Sequence, residues 1–394
     1  MQFIATIDHL ARFCTECSEA PFITVDTEFL RERTYYAQLC LVQVARPGEG
    51  EEVAAIIDPL AREIDLAPFF ALLGNPNITK VFHAARQDLE IFLHMGGVMP
   101  APIFDTQVAA MVCGLGDQAS YETLVRRVAK ADMDKSARFT DWSTRPLSQK
   151  QLAYALADVT HLRVIYLKLR EQLEKSGRAE WVQEEMAQLT APETYRTDPE
   201  EAWRRLKTRS GSPKFLAVVR ELAAWRERTA QSRDVPRSRL LKDEALLEIA
   251  SNRPATLEEL ARTRLLQREG RKAETSEAIL KAVKAGIDCP PEKRPALPEP
   301  YHPKPGSQAL SDLLRVLLKA KADSAGVAPR LIASSADLDR IASEEAPDVP
   351  ALAGWRRKVF GACALRLKAG EIALSASPNG VKLVEVGEAH PAGS

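Results

Sequence analysis

Apolar runs with a period of two dominate the first third of the chain. Phe22-Ile23-Thr24-Val25 is aromatic and β-branched behind Pro21, and predicts a strand over 21–28. Tyr35–Val44 reads as a second strand and Val53–Asp58 as a third, spaced closely enough for an antiparallel meander. Short helices are expected at 7–19 and about 65–73. A strand at 79–82 runs into a helix that Gly96-Gly97 ends, and Ile103-Phe104 is a fifth strand with Thr106–Cys113 helical behind it. Residues 132–142 read as a loop. Ser148 and Gln151 then stand at capping-box spacing with Pro146 upstream, so a helix opens there. Residues 164–189 read as a long helix leaving this region. Paired strands followed by alternating strands and helices predict an α/β domain, a mixed sheet flanked by helices.

The pattern changes after residue 190. Residues 198–250 are helical, with Trp203, Leu206, Phe215, Leu216, Val219, Leu222 and Trp225 as core. Seven prolines in Cys289–Pro305 make a semi-stiff linker. Residues 307–368 are helical again, with Leu310, Leu313, Leu314, Leu317 and Leu318 assigned to one face. A hairpin around Asn379-Gly380 and a disordered polar tail finish the chain. The expected division is 1–190, 195–288, the linker 289–305, 306–370, and a tail 371–394.

Charge sharpens that division. Lys+Arg and Asp+Glu both total 54, yet residues 1–194 carry 19 basic and 27 acidic groups (−8). Residues 195–288 carry 21 and 15 (+6), and 289–394 carry 14 and 12 (+2), summing to zero. An acidic domain beside a basic module suits a metal site coupled to a polyanion binder, and equally a solvated helical surface. There is no leader-like start and no run of 18 apolar residues, so a soluble, cytoplasmic protein without a membrane partner is expected. Six scattered cysteines make no disulfide framework, and Cys14-x-x-Cys17 has no second pair to complete a zinc site.

The candidate chemistry begins in the first predicted strand. Asp26 and Glu28 are two apart and share a face. Two like charges so close persist either by solvation at a strand end or by holding a divalent metal. Asp88 lies early in a helix, where the macrodipole favours it. Tyr154 and Asp158 are four apart on one helical face. Asp105 reads as an N-cap, Gln43 as an edge hydrogen-bonder and His83 as a structural histidine.

Asp26-x-Glu28 on a strand, Asp88 in a helix, and Tyr154-x-x-x-Asp158 on a later helix resemble the motifs of the DEDD 3′→5′ exonucleases. The tyrosine marks the subgroup. Asp26-Thr27-Glu28-Phe29, His83-Ala84-Ala85-Arg86-Gln87-Asp88 and Phe104-Asp105-Thr106-Gln107 narrow this to a resemblance to bacterial ribonucleases D over about residues 1–290. The resemblance implies a ribonuclease H-like catalytic fold followed by two helical HRDC-type modules, the second degenerate. It implies two divalent ions, Mg²⁺ or Mn²⁺, on Asp26, Glu28, Asp88 and Asp158, with Asp26 bridging them and Tyr154 orienting the attacking water. It also implies RNA 3′ ends, chiefly of tRNA precursors, as substrate for a monomer.

Expected RNA contacts are Lys135, Arg138 and Trp142 in the loop, and Arg226, Arg228, Arg233, Arg237, Arg239 and Lys242 in the basic module. Trp142 packed on the core is an equal reading. The absence of G-x-x-x-x-G-K-[ST] removes the helicase reading of that module. Two rival functions stay open: a 3′→5′ exonuclease acting on DNA, and a catalytically weak RNA-binding protein.

Overall fold

The computed structural model describes residues 2–48, 53–134, 136–208, 211–264, 266, 272–297, 304–378 and 380–386. The N-terminal part is a six-stranded mixed sheet. Its strands are β1 (Gln2–Ile4), β2 (Phe22–Leu30), β3 (Gln38–Ala45), β4 (Ala54–Ile57), β5 (Thr79–Phe82) and β6 (Ile103–Asp105), in the order β1-β4-β3-β2-β5-β6. The meander β2-β3-β4 is antiparallel as expected, while β1, β5 and β6 join in parallel. β1 was not predicted.

Helices cover both faces: α1 (Ile7–Ser18), α2 (Ala67–Gly74), α3 (Arg86–Gly96), α4 (Thr106–Val112), a single turn α5 (Tyr121–Leu124), α6 (Gln149–Ser176) and α7 (Ala179–Leu189). Gly97 ends α3 in the left-handed region with φ of 63°. The capping box of Ser148 and Gln151 opens α6. Asp105 caps α4 through Gln107 N and also accepts from the Ala84 and Ala85 amides, tying two loops together.

The last helices differ from the expected long helix over 164–189. α6 runs unbroken for 28 residues, then Gly177 (φ 67°) turns the chain and α7 folds back on the same core through Val182 and Met186. Cys14 and Cys17 are buried there, and burial pushes both thiols up to about 12.

β2 sorts the two faces. Ile23 and Val25 enter the core that holds Phe13, Phe69 and Phe92, on the side of α1 and α3. Phe22 packs on Leu162 and Tyr166 of α6, and the Thr24 hydroxyl donates to Val159 O at 2.8 Å. The even-numbered stripe of β2 therefore lies along α6.

Beyond residue 195 the basic module is helical. α8 (Pro213–Arg233) anchors a core with Trp203, Leu222, Ile249 and Ile279. The final part has its own core around Leu314, Leu317, Ile341 and Phe360, and ends in the expected hairpin, Ile372–Ser377 with Gly380–Glu385. Leu313 departs from its predicted face and is 46% exposed, because Leu310, Leu314 and Leu317 make the inward stripe. This part is fastened to α7: Trp181 stacks on Trp355 with centroids 4.5 Å apart, and Arg356 pairs with Glu185. The tip residue Asn379 and the tail from 387 lie outside the described residues.

Candidate active site

The two even-numbered acids of β2 follow Phe22 and Thr24 up the stripe and meet α6 where Tyr154 and Asp158 face the sheet. Carboxylate oxygens of Asp26, Glu28 and Asp158 all lie within 4.8 Å of one another. They line a cavity of about 460 Å³ with Tyr154, His83, Gln87, Tyr121, Arg138 and Phe139. Asp88 is not in that trio. It arrives from the opposite face on α3, is buried, and accepts a hydrogen bond from the Thr27 hydroxyl. Thr27 is odd-numbered, so strand alternation itself turns it toward α3.

Burial and mutual repulsion act in the same direction here. Burial raises the Asp26 carboxyl to about 7. Glu28 rises to about 9, first through burial, then through Asp26 and Asp88, with Arg138 opposing. Asp88 and Asp158 are held well above the usual carboxylate range, again by burial first and then by Asp26. Tyr154 is raised by burial and by Asp158, Glu28 and Asp26, and its hydrogen bond to Asp158 opposes that acid's rise. A phenol pushed upward serves to orient a water and is a poor base.

The donor set fits hard divalent cations. It is all carboxylate oxygen, with Arg138 as the cation acting on Glu28 and Asp158. Behind it, Gln43 sits directly across from Asp26 in the β2–β3 register. It is fully buried, and neither its amide nitrogen nor its amide oxygen has a partner among the described residues. The expected edge role fails because β3 is flanked by β2 and β4.

Further residues carry the site, Tyr121 and Phe139 among them without a signal in the sequence. Tyr121 donates to the Asp158 and Ala157 carbonyls at 2.6 and 3.0 Å, fixing α6 at the reacting end. His83 bonds Thr106 Oγ1 through Nδ1 at 3.0 Å, packs on Tyr121 and also lines the cavity, so its structural role holds while it borders the cleft. Burial lowers its basicity. Phe139, 91% exposed, presents its ring beneath Arg138 at 5.2 Å.

The expected RNA contacts divide sharply. Arg138 reaches the cavity. Trp142 requires correction: it is 3% exposed and packs behind Tyr154 with Cys40, Leu41 and Ala155. Arg226 is a second correction, being 5% exposed and bonded to Leu241 O and Asp243 at 2.8 and 2.7 Å. Arg237 grips Glu227 through two bonds of 2.5 Å and lies over the Tyr35 ring. Arg228 pairs with Glu200 and Arg233 with Glu274 on the surface. Arg239 and Lys242 are exposed. Lys135 lies outside the described residues.

A sheet of this order, with acids from β2, α3 and α6 and a tyrosine one turn from the last, defines a 3′-5′ exonuclease of the DEDD class. Residues 1–174 match the 3′-5′ exonuclease family and 215–283 the HRDC domain. The chain is 56% identical to the ribonuclease D of Jannaschia sp. over 97% of its length and 99% of the relative's. It is 51% identical to that of Nitrobacter hamburgensis over 98% and 100%. The crystal structure of Escherichia coli RNase D superposes with a TM-score of 0.81 at 31% identity, covering 94% of this chain and 98% of that one. The chain therefore belongs to the ribonuclease D family, and is a hydrolase of the 3′-5′ exoribonuclease type. No helix among the described residues is long and apolar enough to cross a membrane.

Proposed function

We propose that the chain shortens RNA from the 3′ end one nucleotide at a time, releasing nucleoside 5′-monophosphates, chiefly in the 3′ maturation of tRNA precursors. In this reading residues 1–190 do the chemistry, and the modules 195–288 and 306–370 flank them in a cytoplasmic monomer. Asp26, Glu28, Asp88 and Asp158 would hold two divalent ions, Mg²⁺ or Mn²⁺. Bound there, such ions neutralise the scissile phosphate and acidify water.

The chain's own residues supply the rest. Thr27 pins Asp88 at the sheet. Tyr121 anchors the α6 backbone at Asp158. Tyr154, one turn away on the cavity wall, orients the water whose oxygen joins phosphorus as the P–O3′ bond breaks. The new 5′-phosphate leaves with the terminal nucleotide and the shortened chain keeps a 3′-hydroxyl. Arg138 stands where it can meet the phosphate charge.

The observation that carries this reading is the convergence of Asp26, Glu28 and Asp158 within 4.8 Å beside Tyr154. The test is a gel time course on a 3′-extended tRNA precursor, a single-stranded RNA and its DNA counterpart, with Mg²⁺, Mn²⁺ or chelator. Stepwise loss of 3′ nucleotides from the RNAs, stopped by chelator, is expected. Equal turnover of the DNA strand would overturn the substrate assignment. Internal cuts, or hydrolysis in chelator, would overturn the mechanism.

A further inference from the structure

A second cavity, of about 1010 Å³, is lined by Arg31 and Arg86, which neighbour Phe29 and Gln87 of the metal-site cavity along the chain. Its walls are the segment after β2, the outer face of α3, residues 193–205, and the end of α8 with Arg237. Two of the three acid-bearing elements, β2 and α3, lead to it. Arg31 follows Glu28 by three residues, and Arg86 precedes Asp88 by two.

Three of its arginines, Arg86, Arg196 and Arg205, are exposed and make no ion pair within 4 Å among the described residues; Arg205 feels the buried Glu227, which Arg237 already holds at 2.5 Å. Arg86 lies over the Tyr195 ring at 5.9 Å, and Arg205 donates only to the Thr197 hydroxyl at 3.3 Å. The acids lining the same walls are Glu90, Glu193 and Asp198. Glu90 is engaged by Arg31 at 2.5 Å, and Asp198 caps the turn at Glu200. Aromatic surface is interleaved: Tyr36 stacks on His94 with centroids 3.4 Å apart, next to Tyr35. Unpaired guanidinium groups alternating with flat rings suit a single strand, whose phosphates and bases repeat in the same way. The volume is at the top of the range for small-ligand pockets, about 300–1,000 Å³.

We propose that this cleft takes the single-stranded RNA segment just 5′ of the nucleotide being removed, with its phosphates on Arg86, Arg196 and Arg205. The inference rests on the 3′-end trimming reading above, and gives the basic module a place on the substrate path. Within that module Arg226, Arg228, Arg233 and Arg237 are each paired with a carboxylate, and the cations that matter stand at its junction with the exonuclease domain.

The test uses the full chain carrying Arg196→Glu, Arg205→Glu, or both, with Arg→Lys at each position as the conservative control. Trimming of a dinucleotide and of a ten-nucleotide single strand is measured in Mg²⁺ across a salt series. The dinucleotide carries no phosphate beyond the scissile one, so it offers nothing to these arginines and is expected to be cut within about twofold of wild type. For the longer strand the double reversal raises KM roughly tenfold, and the salt slope falls by about 0.7 per lost contact. The lysine variants recover most of the loss. Equal losses on both lengths, or none on the longer one, would overturn the proposal. Fluorescence anisotropy of the ten-nucleotide RNA on the same proteins reads the cleft without hydrolysis. Unchanged affinity there overturns the cleft while trimming stands; lost affinity in a chain whose wild type trims nothing overturns the trimming reading and leaves the cleft.

Discussion

The acids of the cavity and the arginines of residues 226–242 are both dense groups of one charge, and the fold treats them in opposite ways. Asp26, Glu28 and Asp158 are drawn within 4.8 Å of one another, half-buried or buried. Arg226, Arg228, Arg233 and Arg237 are each led to a carboxylate: Asp243, Glu200, Glu274 and Glu227. Paired charges of that kind hold helices in place. Unpaired like charges forced together cost stability unless a ligand of opposite sign arrives. The comparison separates a binding site from a scaffold more cleanly than charge density does.

The largest expected effect is on the acidic side. Asp158→Asn removes one ligand charge while keeping the shape, and hydrolysis should fall by at least about 10²–10³-fold. Retention of more than about a tenth of the wild-type rate would mean the cluster is a solvated accident. Tyr154→Phe deletes only the hydroxyl. A loss of roughly 10²-fold in kcat with little change in metal affinity is expected, and normal turnover would reduce Tyr154 to packing against Trp142.

On the basic side the expected losses are in stability. Arg226→Ala leaves the Leu241 carbonyl buried without its donor and should lower stability by about 1–3 kcal/mol in a denaturant titration. Its RNA affinity should stay at the wild-type value; a large loss of affinity with no loss of stability would restore Arg226 to the RNA surface.

How much of this could be read beforehand follows from the range of the forces involved. β2 to β6, the capping box at Ser148 and the Asp105 cap are set by neighbours within a few residues, and their signals are local. Strand alternation placed Asp26 and Glu28 on one face, and helical spacing put Tyr154 above Asp158. The pairing of Arg226 with Asp243 depends on how α8 packs against the helix Asp243–Asn252, which no spacing encodes. Thr27 and Tyr121 are likewise legible only once α3 and α6 lie against the sheet. β1 has three residues, too few to show a period. Trp142 had two readings in sequence, and the Cys40–Ala155 pocket decided between them.

The smallest effect concerns Gln43. Its buried amide carries two unpartnered atoms, and each such group costs stability. Gln43→Leu, measured by melting in chelator, should be neutral or stabilising by up to about 1 kcal/mol. A clear destabilisation would show that the amide is bonded through buried water.

The most direct test of the central contrast is thermal melting of wild type and Asp26→Asn at pH 8, with and without Mn²⁺. The folded Asp26 carboxyl is raised from 3.8 to about 7. Stability from that group is full below its unfolded value and is lost as pH rises through the folded one, so at pH 8 the wild type carries the whole penalty. The expected result is that in chelator Asp26→Asn melts at or above wild type, and that Mn²⁺ raises the wild type while leaving the variant nearly unmoved. A variant that melts lower in chelator, or gains as much from Mn²⁺ as wild type does, would contradict it.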